Sequence, residues 1–194
     1  MFIFCIWIKR IFYQVEMKKA AMNNKQQTIN EKYQKLKTVI LDLRKVVVAF
    51  SGGVDSTFLL KAAKDLLGNN CVLAVTAISA TASRQEMLDA GTYAEGFGVE
   101  HLVIGTEELD IPEFVQNPPH KCYICKKHRF GKLIELSREK GFDIVVDGEN
   151  ADDHLDFRPG SRAAKELGIR SPLREAGLTK QDIRCLSKQF GLPS

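Results

Sequence analysis

The most constraining feature of this chain is the stretch Lys45 to Leu60. There a run of β-favouring residues stops at two glycines and resumes at once as a helix. Val46 to Phe50 reads as a strand buried on both faces. Ser51-Gly52-Gly53 turns the chain, and Asp55 or Ser56 can cap a helix whose apolar face begins at Phe58, Leu59 and Leu60. Two glycines allow close backbone approach to a ligand, and the helix start behind them adds the positive end of a dipole. The turn is therefore an anion site, with Ser51, Ser56 and Thr57 as hydroxyl donors. A Walker A loop would carry a lysine after its last glycine to reach the β- and γ-phosphates. Val54 and Asp55 stand there instead, which argues against kinase-like transfer of a γ-phosphoryl group.

Strands and helices alternate along the rest of the chain, so the expected fold is α/β, with a mostly parallel, doubly wound sheet in a three-layer sandwich. Tyr33, Leu36, Val39, Ile40 and Leu43 recur at helical spacing ahead of the first strand. A helix over Asp55 to Leu67 ends at Gly68, and Cys71 to Ala77 is the second strand. Thr76 to Ser79, at its carboxyl end, should face a ligand. Ser83 and Glu86 form a capping box for a helix to Phe97, and His101 to Gly105 is the third strand, with His101 a partly exposed edge residue. Ile144 to Val146 is the fourth, followed by the acidic run Asp147 to Asp153. Carboxylates there suit Mg²⁺ held against phosphates, while Asn150 or Asp152 can equally cap a helix. Arg158 and Arg162 can clamp a phosphate or carboxylate. The expected remainder is a helix Ala163 to Leu167, an extended segment Ile169 to Leu173 and a capped helix Thr179 to Phe190.

Charge sets limits on partners. Residues 1–45 hold 10 Lys/Arg against 3 Asp/Glu, and residues 46–194 hold 18 against 21. The basic balance lies in the leader, so charge gives no nucleic-acid footprint. The apolar run Phe2 to Ile8 is too short to span a bilayer, and its charges follow it, the wrong order for a secretory signal. Residues 1–30 read as a disordered leader or a start upstream of the native one at Met17 or Met22, and 31–194 as the domain. Five cysteines form an odd, sparse set, which favours free thiols in a reducing cytoplasm. Cys122 and Cys125 share one face of the helix His120 to Lys140. Three readings stay open for them: a metal site, which would need further ligands; a redox pair, which would need a lowered thiolate pKa; and packing.

Ser51-Gly52-Gly53-Val54-Asp55-Ser56 resembles the PP-loop of the ATP pyrophosphatases, whose fold is of the adenine nucleotide alpha hydrolase type. Three further segments narrow the resemblance: Asn117-Pro118-Pro119 with Cys122-Tyr123-Ile124-Cys125-Lys126, Asp147 to Asp153, and Arg158-Pro159-Gly160 through Ser171 to Lys180. Together they are similar to the ATP-dependent sacrificial sulfur transferases of nickel-pincer cofactor biosynthesis. The resemblance implies that ATP, with Mg²⁺, adenylates a carboxylate on a pyridinium mononucleotide, and that a protein sulfur then displaces AMP. It implies nucleotide contacts along Ala49, Phe50, Ser51, Gly52, Gly53, Val54, Asp55, Ser56, Thr76, Ala77 and Gly148. Catalytic roles fall on Asp55, Ser56, Asp152 and Arg158, with Asp55 and Asp152 as metal ligands. The family continues past Ser194 through the donor cysteine, so this chain reads as its nucleotide-binding part. Expected partners are the small carboxylate substrate and a second copy of the chain, with neither nucleic acid nor membrane. The alternatives are a tRNA thiolase, an amidotransfer ligase like the GMP and NAD synthetases, and an adenine-nucleotide module without turnover.

Overall fold

The computed structural model describes residues 2–79, 91–154 and 159–192. Its centre is a parallel sheet of four strands, β1 (Val46–Ala49), β2 (Val72–Ser79), β3 (Glu100–Thr106) and β4 (Ile144–Val146), in the order β3-β2-β1-β4. β1 lies inside the sheet, with Val46 opposite both Val72 and Ile144. Strand alternation divides the apolar residues between two cores. Val46, Val48, Val72 and Ala74 face one side, where the helices Phe2–Leu43, Val54–Leu67 and Lys180–Gln189 cover them. Val47, Leu73, Val75 and Val145 face the other, against Phe130 and Leu133 of the helix Lys121–Glu139 and Ala164 of Pro159–Glu166. Both faces are covered, as a parallel sheet requires, and the α/β sandwich expected from the sequence is the fold found.

The first helix runs from Phe2, so it includes the segment read as leader as well as the amphipathic stretch. Leu36, Ile40 and Leu43 are buried, and so is Ile29. Lys32 reaches Asp182 at 2.6 Å, across 150 residues of sequence. No helix among the described residues is long and apolar enough to cross a membrane. Of the expected helix 83–97, residues 91–96 are helical, and the capping pair Ser83 and Glu86 lies outside the described residues. The expected extended segment 169–173 is shorter than anticipated. Arg170 makes a single parallel bridge to Val146, and Pro172 then starts the one-turn helix Pro172–Glu175. Proline suits the first position of a helix, whose N–H needs no partner.

The last helix has a reciprocal cap: Thr179 Oγ1 accepts from Asp182 N, and Asp182 Oδ2 accepts from Thr179 N. Asp182 thus fastens two helices at once. Asp182→Ala is expected to lower unfolding free energy by about 1–2 kcal/mol, the cost of a lost cap. Lys32→Ala should cost less, because its ammonium is partly exposed. Urea titration of the two variants checks the order.

Candidate functional site

The phosphate-type loop begins where β1 ends. Phe50 N donates to Val75 O at 2.9 Å, Gly52 takes φ +75°, and Gly53 is the N-cap of Val54–Leu67. The positive φ explains a glycine at 52, since a Cβ there is strained. Neither Asp55 nor Ser56 is the cap expected from the sequence; no side chain caps this helix. Ser56 Oγ donates back to Gly53 O at 3.0 Å and lies 3.1 Å from Ser51 Oγ, while Thr57 Oγ1 donates to Gly52 O at 3.3 Å. The hydroxyls brace the loop from behind, and the helix N-terminus is left for an anion.

Asp55 stands in the first turn. Its Oδ2 accepts from Lys180 Nζ at 2.6 Å and Asn150 Nδ2 at 3.1 Å, and its Oδ1 is buried without a hydrogen-bond partner. The first helix after β1 is thereby joined to the last helix of the chain and to the loop after β4. That loop supplies the opposite wall. Gly148 packs so closely on the first turn that a Cβ would lie 3.0 Å from Ser56 N. Beside it stand Asp147 and Glu149, both buried.

Between these walls lies a cleft of about 450 Å³. One part is apolar, formed by Ala49, Phe50, Val75, Ala77, Phe130 and Leu133; the polar part includes Ser51, Asp55, Asp147, Glu149 and Lys180. Glu149 accepts from Lys126 at 2.7 Å, Ser161 at 2.8 Å and Arg174 at 2.9 Å. Burial opposes its ionisation, but these donors hold its carboxyl below the usual range. Arg129 is fixed the same way by Glu108, which is 1% exposed and also accepts from Thr106. Asp147 is different. Its Oδ1 accepts from Glu149 N at 3.2 Å, and it forms no salt bridge with a cation among the described residues. Burial, then the Glu149 charge, push its pKa up to about 6.

The structure places Ala49, Phe50, Ser51, Gly53, Val54, Asp55, Ser56, Ala77 and Gly148 in the cleft wall. Thr76 is not there: alternation along β2 turns it away, and its hydroxyl is 2.7 Å from His101 Nε2 on the edge strand. Asp152 is exposed and accepts from Lys180 N, while its neighbour Asp153 lines the cleft. The two share the 3₁₀ turn Ala151–His154, where successive residues point about 120° apart. Arg158 lies outside the described residues. Arg162 is exposed and paired with Glu166 at 2.8 Å. Cys122 is exposed rather than packed, and burial raises the Cys125 pKa, the reverse of what a redox thiolate needs. No cluster of metal-binding side chains occurs among the described residues. Sequence reasoning did not single out Lys126, Arg129 and Lys180 as cleft residues; their helical spacing marks only exposed faces, and the contacts that aim them inward are long-range.

A phosphate-binding turn between the first strand and helix of a parallel α/β sheet, facing an acidic loop after a neighbouring strand, defines a nucleotide-binding domain of the PP-loop class. The chain belongs to the NAD synthase family, whose model matches residues 21–119. It is 40% identical over 165 residues to an uncharacterized protein of Synechocystis sp. (85% of this chain, 61% of the relative). It is 37% identical over 165 residues to the pyridinium-3,5-bisthiocarboxylic acid mononucleotide synthase of Lactiplantibacillus plantarum (85% and 60%). The chain thus spans about three fifths of the length of these relatives. Among solved structures, the NMN synthetase of Francisella tularensis superposes with a TM-score of 0.66 at 21% identity, covering 85% of this chain and 71% of that one, a likeness of fold.

Two outcomes follow from this geometry. Gly148→Ala drives a Cβ into backbone atoms of the loop helix, so it should cost on the order of 1–3 kcal/mol of stability and weaken nucleotide binding; thermal melting with and without ATP measures both. For Asp147 the folded pKa lies above the unfolded value. Its burial therefore costs nothing below about pH 4, and the cost grows as pH rises through about 6. Asp147→Asn should be more stable than the parent by about 3 kcal/mol at pH 7 and little more stable at pH 4, given roughly 1.4 kcal/mol per unit.

Proposed function

We propose that this chain adenylates a carboxylate with ATP, as the activating step of sulfur transfer to a pyridinium mononucleotide. One observation carries the reading: the glycine loop, with its uncapped helix N-terminus, opens onto the same cleft as Lys180 and the buried, unpartnered Asp55 Oδ1. The apolar wall suits a purine, and the loop and helix dipole suit its phosphates. A carboxylate resists attack until one of its oxygens belongs to a good leaving group. Transfer of AMP onto it, with pyrophosphate departing, meets that need. Positive charge at the loop and at Lys180 stabilises the phosphate oxygens as charge develops on them.

Mg²⁺ fits the residues present, because it binds through one or two carboxylates together with substrate phosphates. Asp55 Oδ1 would hold it, with Asp153 beside it in the cleft wall, and the ion would supply charge neutralisation at the phosphates. The relative from L. plantarum, a bisthiocarboxylic acid mononucleotide synthase by name, supports sulfur as the group transferred. The match to the NAD synthase model supports a second outcome of the same activated intermediate, amide formation.

The test is pyrophosphate release from ATP with and without a pyridinium-carboxylate mononucleotide. Release that depends on the carboxylate is expected, and its absence sinks the adenylation reading. Asp55→Ala should lower the rate about 100-fold while circular dichroism shows an unchanged fold.

A further inference from the structure

Three other carboxylates around this region are matched by cations. Glu149 takes Lys126 and Arg174, Glu108 takes Arg129, and Asp55 takes Lys180. Asp147 is 6% exposed, lines the cleft and has no such partner among the described residues. An uncompensated buried carboxylate is costly, and one kept at a reaction cleft has a use for its proton affinity. We propose that Asp147 is a catalytic base: it takes the proton of the nucleophile that displaces AMP from the adenylated carboxylate. This rests on the adenylation reading.

The balance is simple. A thiol R–SH approaches the acyl carbon, its S–H proton passes to the Asp147 carboxylate, and the S–C bond forms. The C–O bond to AMP then breaks, its electron pair leaving on the phosphate oxygen. No oxidant or reductant is needed. An ordinary thiol has a pKa of about 8.5, so at neutral pH it arrives protonated and gains from a base poised near that pH. Asp147 is held in that range by its surroundings, with a pKa of about 6. Burial raises it most, then the charge of Glu149 two residues on, while Ser171 and, less, Lys126 from the helix opposite lower it. Asp55, Arg129, Asp153 and Lys180 are the other charged groups of the cleft wall. The neighbours also fix the backbone that carries this carboxyl. Asp147 N donates to Arg170 O at 2.9 Å, and Gly148 is wedged against the loop helix that would hold the adenylate. Asp147 and Glu149 thus form a pair whose surroundings push the two pKa values apart, the pattern that assigns proton-transfer roles.

The experiment supplies the chain with a chemically prepared acyl-adenylate of a pyridinium carboxylate and follows AMP release by N-acetylcysteine. The parent should accelerate thiolysis over buffer, with a rate that climbs with pH through about 6. Asp147→Asn should lose about 100-fold and that limb of the pH profile. Hydroxylamine, which attacks through a free lone pair, should restore AMP release in the variant. Parent-like thiolysis with an unchanged pH profile in Asp147→Asn overturns the assignment. Equal losses with thiol and hydroxylamine overturn it too, since they mark a structural role, and so does a parent that gives no acceleration. Because the adenylate is supplied, this result stands apart from pyrophosphate release, whose failure would count against the adenylation reading alone.

Discussion

The structure depends on the burial of one short strand. β1 has neighbours on both edges and apolar cores on both faces. Parallel pairing makes all strands end on the same side of the sheet, so Ala49 and Val146 deliver their loops to a common rim. The glycine loop and the acidic loop can then meet at the distance of a backbone contact, which Gly148 makes against Ser56. A side chain at 148, or a shift of register by one residue, would part them and also turn each strand's apolar set to the wrong core.

Charge supplies the next level of order. Three carboxylates hold the cleft's cations in place, and each link joins parts distant in sequence: Asp55 to Lys180, Glu149 to Lys126 and Arg174, Glu108 to Arg129. A half-buried pair of this kind adds little net stability compared with apolar packing. What it gives is orientation. Lysine and arginine side chains that would otherwise sample many rotamers stand fixed at a cleft wall before any ligand arrives, so less entropy is lost on binding.

Much of this was legible in the sequence, and the part that was not has a common physical cause. The strand β1, the glycine turn and the helix behind it are local patterns, readable from Val46 to Leu60 because propensity, period and turn chemistry agree there. The cleft position of Gly148 came from the family resemblance rather than from a local pattern. Thr76 was placed on the ligand side because it stands at the carboxyl end of a strand; alternation along β2 gives the cleft to Val75 and Ala77 instead. Lys180 looked like the first residue of a capped helix, which it is, and its aim toward Asp55 depends on a contact 125 residues away. Asp152 and Asp153 are indistinguishable in sequence; one 3₁₀ step decides which of them meets the cleft.

The same long-range pairing bears on how the cleft can admit an anion at all. Lys180 is already neutralised by Asp55 at 2.6 Å, so an incoming phosphate must share that ammonium rather than find it free. Two unit charges about 4 Å apart are worth roughly 4 kcal/mol at an effective dielectric near 20. A phosphate carrying more than one negative charge therefore competes well with a single carboxylate. The unpartnered Oδ1 of Asp55 then matters, because the carboxylate gains a second acceptor role as its hold on Lys180 loosens. Asp147, with no cation to exchange, feels the arriving negative charge directly, and its proton affinity rises with it. Nucleotide binding would thus strengthen the base proposed for Asp147.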